Sequence, residues 1–202
     1  MNVVIVTVIL VQASAKLKTG AAAGIIPKFN LYEIHKMVKS SKGMKLLRKI
    51  ISRPETVVYN YYIHAKGYFD EEGYNKFISS SEGKKCSFND KTIFFRACPF
   101  VEPGKGCLIS VEYRSYICNF FVCKEVMNDL SSDSEYNDYI RERDNYVHWI
   151  EWENESMQAM LTDMNLNLIH NFDEVIKVLK DLPLENYEFP KLTPMINKRK
   201  NS

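Results

Sequence analysis

Apolar residues recur along this chain mainly at helical spacing, in blocks separated by polar stretches. Leu31, Ile34 and Val38, then Leu46, Leu47 and Ile50, return every three or four positions, with a break at Ser40-Ser41-Lys42-Gly43. That spacing predicts helices over about 31–40 and 43–52. Asn30 stands before the first, with Glu33 three residues on, the pattern of a capping box. Residues 55–66 mix β-branched and aromatic side chains (Val57, Val58, Tyr59, Tyr61, Tyr62, Ile63) and fit helix or strand equally. A short helix is expected over Asp70–Ser79, a loop over Ser79–Gly83, and a strand over Lys91–Arg96. Glu102-Pro-Gly-Lys-Gly106 is a turn.

The C-terminal third carries the longest periodic stretch. Tyr136, Tyr139, Ile140, Tyr146, Val147, Ile150, Met157, Met160 and Leu161 supply one face of a helix from about 135 to 162, started by Ser131–Ser134. A shorter helix is expected near 172–181, ended by Pro183, whose ring and missing N–H oppose continuation. The sum is a mainly α fold: a single helical domain around a loop-rich cysteine cluster, with few short strands. Residues 25–190 form that domain, 1–24 an atypical N-terminal segment and 191–202 a basic tail.

Composition changes this picture little. The 202 residues suffice for one domain with a core, and the net charge of +2 implies no polyanionic partner. Nucleic acid and membrane are therefore not expected partners. Val3–Val11 is nearly all apolar and precedes Ala13-Ser14-Ala15, which imitates a signal peptide but lacks its positive start. The run is far below the roughly 20 residues needed to span a bilayer, and an N-terminal strand is the plainer reading. A shifted reading frame is a further reading, because valine and alanine codons read one base earlier yield cysteines; the coding DNA tests it.

The chemistry concentrates between Cys98 and Cys123. Four of five cysteines, Cys98, Cys107, Cys118 and Cys123, fall within 26 residues, with gaps of eight, ten and four. Four thiolates complete a tetrahedral shell for zinc or an iron–sulfur cluster. An odd count is unlike a secreted disulfide framework and favours a reducing, cytoplasmic setting. Pro99 and the 102–106 turn fold the chain back so that Cys98 and Cys107 converge, while Cys118 and Cys123 lie near one helical turn apart. Cys86, twelve residues upstream of Cys98, is a fifth ligand, a replacement or a bystander. Arg114 and Lys124 would favour thiolates, although Arg114 reads equally as a surface cation. Phe100, Phe120 and Phe121 fit a local apolar shell. His35 and His64 are distant candidate ligands, His148 a packed or surface residue, and the carboxylates of the long helix a solvated face.

Cys98-Pro-Phe-Val101, Gly106-Cys-Leu-Ile109, Tyr113-Arg-Ser115 and Cys118-Asn-Phe-Phe-Val-Cys123 resemble the YkgJ-like cysteine-cluster proteins. The resemblance covers about 30 residues closely and implies zinc or iron–sulfur binding. Asn119 stands where that family usually has Arg, and Ser115 where many members have Pro. Gln12–Gly24 contains no cysteine where the family places a first set. The expected function is thus a metal-binding protein with a structural or redox role, the metal ion its partner. The alternatives are a protein-modifying enzyme related to flagellin lysine methyltransferases, a degenerate metal-free interaction module, and a secreted disulfide-linked protein. Nucleotide-binding, zinc-protease and serine-hydrolase motifs do not occur.

Overall fold

The computed structural model describes residues 27–85, 91, 95–102, 105–120, 127, 130 and 134–193. The expectations for residues 1–24, for Cys86, Phe121, Cys123 and Lys124, for the helix start at 131–133, and for residues 194–202 of the basic tail lie outside them. Within the described residues the fold is mainly α, with seven α-helices and a few short strands.

The first helix, α1 (Leu31–Val38), is the centre of the molecule, with every residue but Lys36 buried. The second, α2 (Ser41–Ile51), follows after two residues, and both match the expected helices closely. Ser40 caps α2 by accepting the Gly43 amide at 2.9 Å. The ambiguous stretch 55–66 is a hairpin of β2 (Thr56–Val58) and β3 (Tyr62–Ala65). With β1 (Lys28–Asn30) it makes an antiparallel sheet of order β1-β3-β2, pairing Phe29 with Ile63 and Val58 with Ile63. Phe29, Ile63 and Ala65 face the core while Tyr62 and His64 are half-buried, the alternation of a one-sided strand.

Two further strand pairs frame the cysteine region. β4 (Tyr68–Phe69) pairs with β5 (Arg96–Ala97); of the described residues in the expected 91–96 strand, Arg96 alone is extended in a ladder, while 92–94 lie outside them. Between them lie α3 (Glu71–Ser79), capped by Asp70 through the Gly73 amide, and α4 (Ser81–Lys85). The latter replaces the expected loop, because Ser80 Oγ accepts the Gly83 amide at 3.1 Å and starts a new turn of helix. β6 (Val101–Glu102) and β7 (Gly106–Cys107) form the hairpin that the Pro-Gly turn predicts; Gly106 has φ 84°, open to glycine.

A 3-10 turn at Val111–Tyr113 leads into α5 (Tyr116–Phe120). The long helix α6 (Ser134–Asp163) buries Tyr136, Tyr146, Ile150, Met157 and Leu161. It ends beside Asn165, whose φ of 57° is the left-handed conformation that asparagine tolerates. The last helix, α7 (Phe172–Asp181), packs with α2 and α6 around α1. Residues 182–193 then run without regular structure back across α1 and α6. No helix among the described residues is long and apolar enough to cross a membrane.

Candidate functional site

The turn chemistry of the cysteine region does what its sequence implies. The β6–β7 hairpin sets Val101 opposite Cys107, and Lys105 N donates to Glu102 O at 3.1 Å. Arg114 is a brace, half-buried, its Nε donating to Ile109 O at 2.7 Å and its Nη2 to Cys107 O at 3.5 Å. Asn119 Nδ2 donates to Val111 O at 3.1 Å and ties α5 to the preceding turn. Phe100 is buried and meets Phe29 edge-on, with the Arg53 guanidinium 5.5 Å from its ring centre.

Cys98, Cys107 and Cys118 are free and half-buried, on the loop before β6, on β7 and on α5. Burial pushes the Cys98 thiol up, and Cys107 adds to it. Burial pushes Cys118 up to about 12, with Cys98 and Cys107 adding and Arg114 opposing. The three sulfurs thus share a neighbourhood in which burial disfavours the thiolates of Cys98 and Cys118. They do not make the expected metal centre: among the described residues no group of three or more His, Cys, Asp or Glu side chains is placed to hold a metal ion. Among the described residues, that finding overturns the reading of Cys98, Cys107 and Cys118 as the core of a zinc or iron–sulfur centre. The physical reason is that a metal shell needs side chains converging on one point, whereas Cys98 and Cys107 are half-buried packing groups against the apolar core. His35 does not reach this region; its Nε2 bonds Leu182 O at 3.1 Å. His64 sits on β3, paired with Lys28 and Val57.

A thiol held so far above its usual range reacts slowly, because the thiolate is the nucleophile. Iodoacetamide at pH 8 is therefore expected to modify Cys118 at least about tenfold more slowly than a free cysteine peptide. Peptide mapping by mass spectrometry reads this directly, and labelling at the free-peptide rate would show that α5 does not shield the sulfur.

One carboxylate stitches this region to the core. Glu33 is fully buried; its Oε2 accepts the Asn30 amide at 3.0 Å, the expected capping-box bond, and its Oε1 accepts the Tyr116 amide at 3.1 Å. Burial raises its carboxyl above the ordinary range, opposed chiefly by Lys36 and by these amides. Tyr32 N donates to Asn154 Oδ1 at 2.8 Å, which satisfies another amide in the first turn of α1 from α6.

The most elaborate surface lies on the other side of α6. Tyr32 of α1, Phe120 of α5, and Tyr146 and Trp149 of α6 form an aromatic floor, with Tyr32 and Trp149 edge-on at 5.0 Å and Phe120 and Tyr146 at 5.2 Å. Across it runs the segment Pro183–Thr193. The Tyr187 ring stands 5.3 Å from Tyr146 and 5.5 Å from Trp149, and Phe189 lies 5.0 Å from Tyr146 and 6.3 Å from Phe120. Tyr187 Oη donates to Glu142 Oε1 at 2.5 Å, and Tyr32 Oη donates to Glu185 O at 2.9 Å. The bond to Glu142 pushes the Tyr187 phenol up to about 12. Glu142 is therefore a buried partner of Tyr187 and not part of a solvated face, whereas Asp144, Glu151 and Glu155 are exposed as expected and Glu135 and Glu153 are half-buried.

Sequence reasoning passed over this segment. The signal that marks it is Tyr187-Glu-Phe189 bracketed by Pro183 and Pro190, two aromatic residues in a stretch that cannot continue a helix. Comparison with family models, with curated proteins and with solved structures returns no match for this chain.

Proposed function

We propose that this chain is a protein-interaction module whose aromatic floor receives an extended peptide bearing two aromatic side chains. One observation carries the reading: the floor already holds such a segment, and holds it by side chains. Among the described residues no backbone–backbone hydrogen bond ties 183–193 to the rest of the chain. Tyr187 and Phe189 are its anchors, and Glu142 selects a phenol at the first position by accepting its proton donor. Rigid aromatic anchors give large contact area at small entropic cost, which is why such residues dominate recognition surfaces. The raised thiols of Cys98 and Cys118 support a binding role over nucleophilic chemistry at those two sulfurs.

The test uses the full chain carrying Tyr187→Ala and Phe189→Ala, which empties the floor. A labelled synthetic peptide spanning residues 182–193 is titrated in and followed by fluorescence anisotropy. Saturable binding is expected, with a dissociation constant on the order of micromolar for so small an interface. The same peptide with both aromatic residues replaced by alanine is expected not to bind. A variant that unfolds cooperatively yet binds neither peptide rules out the reading.

A further inference from the structure

Resting on that peptide-binding reading, we infer that the C-terminal segment is an autoinhibitory strap, which lifts from the floor to admit an external extended peptide of the aromatic-acidic-aromatic kind. Its two ends are held very differently. At the root, Leu182 N donates to Val178 O at 3.0 Å, and Leu182 O accepts from His35 Nε2 and from Lys39 Nζ. Lys39 Nζ also donates to Lys180 O at 2.7 Å, so a cation closes the C-terminal end of α7. The root is therefore fixed, and Pro183 is the first residue beyond it.

Beyond the root the backbone is held at Glu185, whose O accepts Tyr32 Oη at 2.9 Å, and among the described residues by no backbone–backbone bond. Glu185, Asn186, Glu188, Phe189 and Pro190 are exposed, and Phe189 remains 45% exposed even in its seat. Segments with little buried area and no backbone ladder open at low free-energy cost. Pro183 and Pro190 keep the lifted strap extended, so little order is lost when it returns. The strap thus competes with any external peptide from a tethered position, at an effective concentration on the order of 1 mM for a short linker. Against an intrinsic dissociation constant of about 10 μM, that leaves the floor open roughly 1% of the time. External affinity is lowered by the same factor.

The competition is measured with one probe, the labelled 182–193 peptide, and three full-length proteins: wild type, Phe189→Ala, and Tyr187→Ala with Phe189→Ala. Affinity is expected to rise in that order, by at least about tenfold from the first to the last. Equal affinity for all three, or tighter binding to wild type, overturns the autoinhibition while leaving the peptide site standing. Binding to none of them overturns the site itself. If the double variant does not fold, the single Phe189→Ala chain carries the comparison, because a ring so exposed contributes little to the core.

Discussion

Replacing Glu33 by alanine is expected to lower the unfolding free energy by about 2–4 kcal/mol, because two buried amides lose their acceptor at once. Those amides belong to Asn30 and Tyr116, 86 positions apart in the chain, so the loss falls on the start of α1 and on the entry to α5 together. Burial of a carboxylate is itself costly, and this sets a pH dependence with a definite sign. The folded-state carboxyl is raised above its ordinary value, so the folded chain holds the proton more tightly than the unfolded one. Stability from this group is fully present below the unfolded value and declines as pH rises through the raised one. The gap between wild type and Glu33→Ala is therefore expected to be wider at pH 4 than at pH 8. Urea denaturation at both pH values measures it. A gap that widens toward pH 8 would mean that the amides and Lys36 outweigh burial.

The second large effect runs against helix propensity. Alanine in place of Gly43, in the first turn of α2, should gain about 1 kcal/mol on propensity alone. The structure predicts the opposite sign. A Cβ at Gly43 would lie 2.2 Å from the Met37 carbonyl oxygen and 2.7 Å from Met37 Cα. These are backbone atoms of a fully buried residue and cannot turn aside. The helices α1 and α2 must separate, at an overpacking cost of about 1–3 kcal/mol that exceeds the propensity gain. A fall in thermal midpoint for Gly43→Ala, against little change for an exposed control such as Lys45→Ala, would confirm close approach as the reason for the glycine. An unchanged or raised midpoint would show that the two helices have room to shift.

The helices of the core were legible because each is amphipathic over a continuous stretch. Leu31–Val38, Ser41–Ile51, Ser134–Asp163 and Phe172–Asp181 all lie within a few residues of their expected ends. One cap sharpened a start: Glu33 accepts the Asn30 amide, as the capping-box spacing implies. Short elements were less legible. Val57, Val58 and Ile63 suit helix or strand alike, and only pairing with Phe29, far upstream in the chain, makes 56–65 a hairpin.

The cysteine region shows where spacing misleads. Four cysteines in 26 residues say that sulfurs come near one another, and Cys98, Cys107 and Cys118 do. Proximity is a one-dimensional inference; a metal shell requires ligands converging on a point, and the described residues do not provide it. Glu33 was legible as a cap of its own helix and not as the acceptor for Tyr116, because that bond joins residues 83 apart. The aromatic floor was split among segments that sequence reading took separately, with Tyr32, Phe120, Tyr146 and Trp149 drawn from three helices.

What the chain determined by itself is therefore local: helix positions, the Asn30 capping box, the turn at 102–106 and the stop at Pro183, each fixed by backbone preferences within a few residues. What only the tertiary structure decided is which groups meet. The burial of Glu33, the raised thiol of Cys118 and the seating of Tyr187 and Phe189 beside Glu142 all depend on contacts between distant segments. Those contacts follow from the closure of a shared apolar core, to which α1, α2, α6, α7 and the three-stranded sheet all contribute and which no single stretch of sequence encodes.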